Sequence, residues 1–285
     1  MSGLKLVIPN FTSNNASLPV LREDKRLTAG SLLLVDFSHP LTNSSSVPTN
    51  GSAIKNIAYK EAMSILNTTE ANISPSVINT LTQTGGKAEI TGKKGLHVIV
   101  SQVNDVSAGN AFAIKYPLSV CDYIRTNINR GFYISVWNKT TRMFAGTGGL
   151  SPDVLFGLTN TGNYIASLEQ GGFIGMNNIG RTKQQSVLNE VKRNSVAVNS
   201  FTGTPATGNH QYSWGIILAG TTPYTTFDFN KKPSKVLYQL HIIDLTTAGL
   251  TFEQADALDL ANYNQAFGVG GRFADDTFTS PSTLA

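Results

Sequence analysis

Carboxylates are the residues whose spacing in this chain comes nearest to chemistry. Asp256, Asp259, Asp275 and Asp276 lie close together near the C-terminus. Cleaving a glycosidic bond needs two carboxyl groups facing each other across a cleft, one to protonate the leaving oxygen and one to attack or to activate water. Asp256 and Asp259 stand three apart on a helical stretch and are expected to form its solvated face. Asp275 and Asp276 follow a Gly-Gly turn, a common place for acids; of the four they are the better placed to hold calcium. A structural role is the expectation for all four.

The other reactive residue types are scattered. His39, His97, His210 and His241 occur singly, with no HExxH or His-X-His spacing, so they predict no metal-ligand set. His97 and His241 fall in strand-like runs and read as ordinary strand residues. The one cysteine, Cys121, sits among apolar neighbours in PLSVCDYI with no adjacent basic residue. It therefore reads as a small buried hydrophobe and not a nucleophile, and it excludes an intrachain disulfide. Gly146-Thr-Gly-Gly149 and Gly171-Gly-Phe-Ile-Gly175 lack the Lys-Ser/Thr of a phosphate loop and the strand and helix that should flank a dinucleotide turn, so they read as turns. Tyr133, Trp137, Tyr212 and Trp214 could stack on a sugar, but strand alternation sends some of them into the core. No catalytic, cofactor-binding or metal-ligating residue is assigned, and no cofactor is expected.

The elements that must carry these side chains are mostly strands. Residues 31–37, 95–103, 131–137, 163–168, 195–201, 212–219 and 236–245 are short runs rich in Val, Ile, Phe, Tyr or Trp, bounded by Gly, Asn, Thr or Pro. Trp137-Asn-Lys-Thr-Thr-Arg-Met-Phe144 has the form of a hairpin, a strand ending at Trp137 and a polar turn before Arg142. One helix is predicted over 251–267, with Phe252, Ala255, Leu258, Ala261 and Phe267 near one face, Leu260 off it, and Thr251 with Gln254 as a capping box. A weaker helix is predicted over 184–192. Residues 1–30 carry Pro9, Pro19 and many Asn and Ser without period and read as an extended arm that lies against a neighbouring subunit or partner. Residues 31–285 form the domain.

Composition narrows the class. Of 285 residues 40% are hydrophobic and only 14% charged, against roughly a quarter charged in ordinary globular chains; Thr, Ser, Asn and Gly fill the difference. Such a surface suits β-rich extracellular or virion proteins better than cytosolic enzymes. The net charge of +4 is spread out: the densest basic pairs, Lys93-Lys94, Lys192-Arg193 and Lys231-Lys232, are isolated, which argues against nucleic-acid binding. Leu4 to Pro9 is too short for a signal-peptide core, and no window approaches a membrane span. The Asn-X-Ser/Thr sites, among them Asn67, Asn72 and Asn138, follow from the composition and not from glycosylation.

Three segments carry a resemblance: DFSHPLTNSSS from Asp36, GFYISVW from Gly131, and the closing VLYQLHIIDL to GGRFADDTF between Val236 and Phe278. Together they resemble the concanavalin-like jelly-roll proteins of tailed-bacteriophage particles. The resemblance implies an all-β fold, an antiparallel two-sheet jelly-roll-like sandwich with one C-terminal helix. It also implies a non-enzymatic virion role in a tail, baseplate or capsid-decorating position. The implied partners are copies of the chain, other virion proteins and a host-surface glycan. A carbohydrate-binding adhesin and a glycan-degrading enzyme are the alternatives.

Overall fold

The computed structural model describes residues 22–42, 45–82, 84–103, 112–143, 153–160, 163–170, 181–184, 187–198, 213–216 and 233–284. Among them, strands dominate. In chain order they are β1 (Ser31–Val35), β2 (Ser76–Asn79), β3 (Gly86–Ile90), β4 (Leu96–Val100), β5 (Phe112–Lys115), β6 (Phe132–Arg142), β7 (Asp153–Asn160), β8 (Asn163–Gln170), β9 (Arg181–Gln184), β10 (Val191–Val198), β11 (Ser213–Ile216) and β12 (Ser234–Asp244). The helices are α1 (Tyr59–Leu66), α2 (Leu118–Thr126), α3 (Leu245–Ala248) and α4 (Phe252–Phe267).

β12 organises the molecule. All eleven of its residues are buried, so both faces and both edges are covered, and the polar Ser234, Lys235, Gln239, His241 and Asp244 are buried with its apolar residues. One edge pairs with β6 along almost its whole length; the other is shared by β4, at Lys235 to Leu237, and β1, at Leu240 to Ile243. With β10 beyond β6 and β3 beyond β4, this makes an antiparallel six-stranded sheet. A second antiparallel sheet has the order β11-β5-β2, and a third joins β7 and β8 antiparallel with β9 parallel to β8.

The large sheet is buried on two sides by different partners. Phe132, Ile134 and Val136 of β6, with Leu237, Leu240 and Ile242 of β12, face a core shared with Val77, Phe112 and Ile114 of the second sheet and with Val120, Cys121 and Ile124 of α2. Alternation sends Tyr133, Ser135 and Trp137 to the opposite face. There α4 and the C-terminal segment cover them: Trp137, Val236, Tyr238, Ala266 and Phe273 form one cluster, and Tyr133, Ile243, Leu245 and Ala255 another. In the first cluster the Trp137 ring meets Tyr263 at 5.5 Å, nearly edge-on, and Phe267 meets Tyr238 at 5.0 Å in the same way. Each such pair adds about 0.5–1.5 kcal/mol beyond its buried area.

Several expectations are corrected. β6 does not turn after Trp137; it runs straight through Asn138 to Arg142, paired with β12 on one side and, as far as Lys139, with β10 on the other. The polar stretch fits a strand because its backbone is hydrogen-bonded along both edges and Asn194 Nδ2 donates to buried Asn138 Oδ1 at 2.9 Å. The helix over 184–192 is absent among the described residues: β9 ends at Gln184, Leu188 bridges to Thr140, and β10 begins at Val191. α4 and its Thr251–Gln254 capping box are as predicted, but the buried stripe differs. Leu258 and Ala261 face outward, whereas Asp259 is buried beside Ala255 and Ala266. α1 and α2 add helices that no periodicity announced.

Residues 1–21 of the expected arm lie outside the described residues. Residues 22–30 are held on the sheet. Arg26 is buried and donates through Nη1 to Asp36 at 2.6 Å and to Gln239 at 2.7 Å, and through Nη2 to Asp24 at 2.7 Å. Burial alone would raise the Asp24 carboxyl; the hydrogen bonds and charge of Arg26 outweigh it and bring the group down to about 2.

Candidate functional site

The densest set of ionisable side chains lies between α4 and the outer face of the large sheet. Asp256 and Asp259 project from successive turns of α4 onto β6, β10 and β12. Asp259 Oδ2 accepts from Tyr133 Oη at 3.0 Å, Ser135 Oγ at 2.8 Å and Trp137 Nε1 at 3.1 Å, while Oδ1 accepts from Gln239 Nε2 at 3.1 Å. Gln239 in turn accepts from Arg26, so one polar chain runs from the N-terminal segment to the helix. Asp256 meets the Arg193 guanidinium with both oxygens and also accepts from Ser195 Oγ at 2.8 Å. The Arg193 hydrogen bond holds the Asp256 carboxyl below the usual carboxylate range. The expectation of a solvated face is thus overturned for Asp259, which is buried, while Asp256 stays partly exposed in its pair with Arg193.

This geometry does not resemble a pair of carboxyls flanking a scissile bond. Both acids come from one helix and both approach the same Tyr133 hydroxyl at 3.0 Å, whose single proton they share while Arg193 donates to its oxygen. Their acceptor sites are taken by side chains of the sheet. What the arrangement does chemically is fasten a helix to a sheet through charge-assisted hydrogen bonds, buried at Asp259 and partly exposed at Asp256.

A second set forms a relay that spacing could not reveal. His97 Nδ1 lies 2.9 Å from Glu89 Oε1 and its Nε2 lies 2.8 Å from Thr141 Oγ1, the order carboxylate, imidazole, hydroxyl. An ionised Glu89 can only accept, so Nδ1 carries the proton and Nε2 accepts from Thr141. Burial lowers the pKa of His97 and keeps it neutral. The relay is roofed by the C-terminal segment: Phe278 packs edge-on to His97 at 5.0 Å, and Thr279 donates its N–H to Glu89 at 2.7 Å.

The remaining candidates fall separately. Asp276 accepts from Thr91 Oγ1 and the Lys93 N–H, both at 2.7 Å, and from Tyr238 Oη at 3.0 Å, so it latches the C-terminal segment instead of presenting free oxygens to calcium. Asp275 is exposed on the turn, with a φ of +55°. His39 lies 3.7 Å from Asp24. His241 is buried between Arg26 and Asp259, lining a small cavity, and burial brings it down to about 4. Cys121 is buried, and burial pushes its thiol up to about 12 despite the Arg125 charge one turn away. Tyr133 and Trp137 pack under α4. His210, Tyr212 and both glycine strings lie outside the described residues, and of Trp214 only the backbone, in β11, is described. Among the described residues no group of three or more His, Cys, Asp or Glu could hold a metal ion, and no helix is long and apolar enough to cross a membrane.

Two open clefts border the described surface. One, of about 360 Å³, is lined by Phe37, Leu41, Val47, Pro48, Ile54 and Lys55, among others. The other, of about 320 Å³, lies beyond the end of α4, where Lys25, Val269, Gly270, Gly271 and Arg272 converge. Neither carries a sequence motif, because its residues come from distant or featureless loops. No protein-family model, curated protein or solved structure matches the chain.

Proposed function

We propose that the chain is a non-enzymatic structural subunit of a tailed-bacteriophage particle, built as a jelly-roll-like sandwich that assembles with copies of itself and with other virion proteins. The observation that carries the non-catalytic half is the occupancy of Asp259. Its four donors from β6 and β12 make it a fastener between layers, and the same holds for Asp276 and Glu89 at the C-terminal segment. A core shared by the six-stranded and three-stranded sheets supports the sandwich. The virion role rests on the resemblance of three segments and on a surface rich in Thr, Ser and Asn that suits wide polar contacts. Residues 1–21 act in this reading as the assembly arm, adding backbone hydrogen bonds to a neighbour.

Light scattering on the full chain, run beside an assay for reducing ends released from polysaccharides, tests both halves. The expected result is a mass that is a multiple of 30.5 kDa and no release. A persistent monomer with turnover on a defined polysaccharide overturns the reading.

A further inference from the structure

The second sheet has a free edge that opens into a cleft. Beyond β2, residues 52–54 pair with it antiparallel: Val77 N–H donates to Ser52 O at 2.9 Å, Ile54 N–H donates to Pro75 O at 2.8 Å, and Ala53 stands opposite Ser76 between those two bonds. A residue so placed turns its own N–H and C=O away from its partner strand. The far side of β2 is taken by β5, so the backbone of Ala53 forms the outer edge of this sheet. Ala53 is exposed, and among the described residues no hydrogen bond forms to its N–H or its C=O.

That edge lines the cleft of about 360 Å³. Leu41, Val47 and Pro48 give the cleft apolar walls that solvent still reaches, over a floor of buried Phe37 and Ile54. An unpaired extended edge beside apolar walls is the geometry that accepts a peptide strand: main-chain bonds supply affinity, and alternate side chains fill the walls. A fitting strand occurs in the chain itself. Leu4-Lys-Leu-Val-Ile8 places Leu4, Leu6 and Ile8 on one side and Lys5 and Val7 on the other, and Pro9, which lacks an N–H, ends it. The described residues begin beside the cleft. Arg22 pairs with Glu61 of α1 at 2.7 Å, Glu23 accepts from Tyr59 Oη at 3.3 Å, and Lys55, which lines the cleft, holds its ammonium 4.1 Å from the Tyr59 ring centroid. The stretch 9–21 that separates this root from the strand can span at most about 45 Å.

We propose that residues 4–8 of one copy add a strand to the Ala53 edge of a second copy, with Leu6 and Ile8 against the walls of its cleft, and that the second copy returns the same segment. Arm root and cleft lie side by side on every copy. Two copies facing each other across a two-fold axis therefore bring each root to the other's cleft, and a single exchange satisfies both edges. The inference rests on the reading of residues 1–21 as an assembly arm and assigns that arm its receptor.

Light scattering over a concentration series of the full chain, Leu6→Asp and Ala53→Pro tests it. The parent should form a particle of twice 30.5 kDa or an even multiple of that. Leu6→Asp sets a carboxylate against the apolar walls, and Ala53→Pro removes an N–H that no described strand of the same chain uses, a replacement that an edge tolerates. Each should weaken association at least about tenfold, and the two together by less than the product, because both break one contact. Leu6→Asp lies outside the described body, so it carries the test even where Ala53→Pro disturbs folding. Oxidising an equal mixture of Leu6→Cys and Leu41→Cys chains should link one copy to the other, since the native Cys121 is buried. A parent that stays monomeric would overturn this proposal together with the assembly reading. An odd-numbered assembly, assembly of Leu6→Asp equal to that of the parent, or cross-links that form only within a chain carrying both cysteine replacements would overturn the proposal and leave assembly standing.

Discussion

His241 shows how burial turns a side chain into a pH dependence. It is surrounded by Arg26 and Asp259, with Asp24 further off, and desolvation is the largest influence, lowering it to about 4. An unfolded histidine takes its proton near 6.5. Between these values the unfolded chain binds more protons than the folded one, so stability is fully present above about pH 7 and declines as the pH falls toward 4. His97, also lowered by burial, acts with the same sign. From pH 8 to pH 5 the His241 contribution alone is about 2 kcal/mol. Urea denaturation at the two pH values should show the loss, and His241→Gln should reduce it; an unchanged pH slope in the variant would place the cause elsewhere.

Elements were legible to the degree that local pattern determined them. β1, β4 and β12 were readable because each is fully buried and carries a run of Leu, Val and Ile long enough to stand out, even though polar residues such as His97, Gln239 and His241 interrupt it. The far half of β6 was not: Asn138, Lys139, Thr140 and Thr141 have the polarity of a turn, and only pairing with the distant β12 and β10 makes them a strand. Amide hydrogen exchange should therefore protect Asn138 to Thr141 as strongly as Phe132 to Trp137; rapid exchange confined to 138–141 would favour a turn. In α4 the capping box was legible, since it is local, but the buried face was not, because Asp259 is polar and becomes a core residue only through donors on β6 and β12. The Glu89–His97–Thr141 relay and the cleft at Lys25 and Arg272 were invisible for the same reason: their members meet only after folding.

At the scale of the molecule, the densest polar groups among the described residues connect layers. Asp36 and Gln239 tie the N-terminal segment to the sheet through Arg26, Asp256 and Asp259 tie α4 to it, and Glu89 and Asp276 tie the C-terminal segment. Since residues 22–30 belong to this framework, the assembly arm is best tested by deleting 1–21 alone. That deletion should leave the urea midpoint unchanged and lower the assembled mass; assembly equal to that of the full chain would remove the arm's role.

Asp259 bears most of the proposed structural role. Acids held ready for chemistry are commonly strained, and replacing them tends to stabilise a protein. A buried acid that satisfies several donors has the opposite signature, because its loss leaves those donors unpaired in a dry layer. The Asp259→Asn amide would turn its NH₂ toward Gln239 or toward the Tyr133, Ser135 and Trp137 donors, and either choice sets donor against donor. The urea unfolding free energy of Asp259→Asn is the measurement that decides: a loss of about 3–5 kcal/mol is predicted, and a variant as stable as the parent, or more stable, would contradict the account.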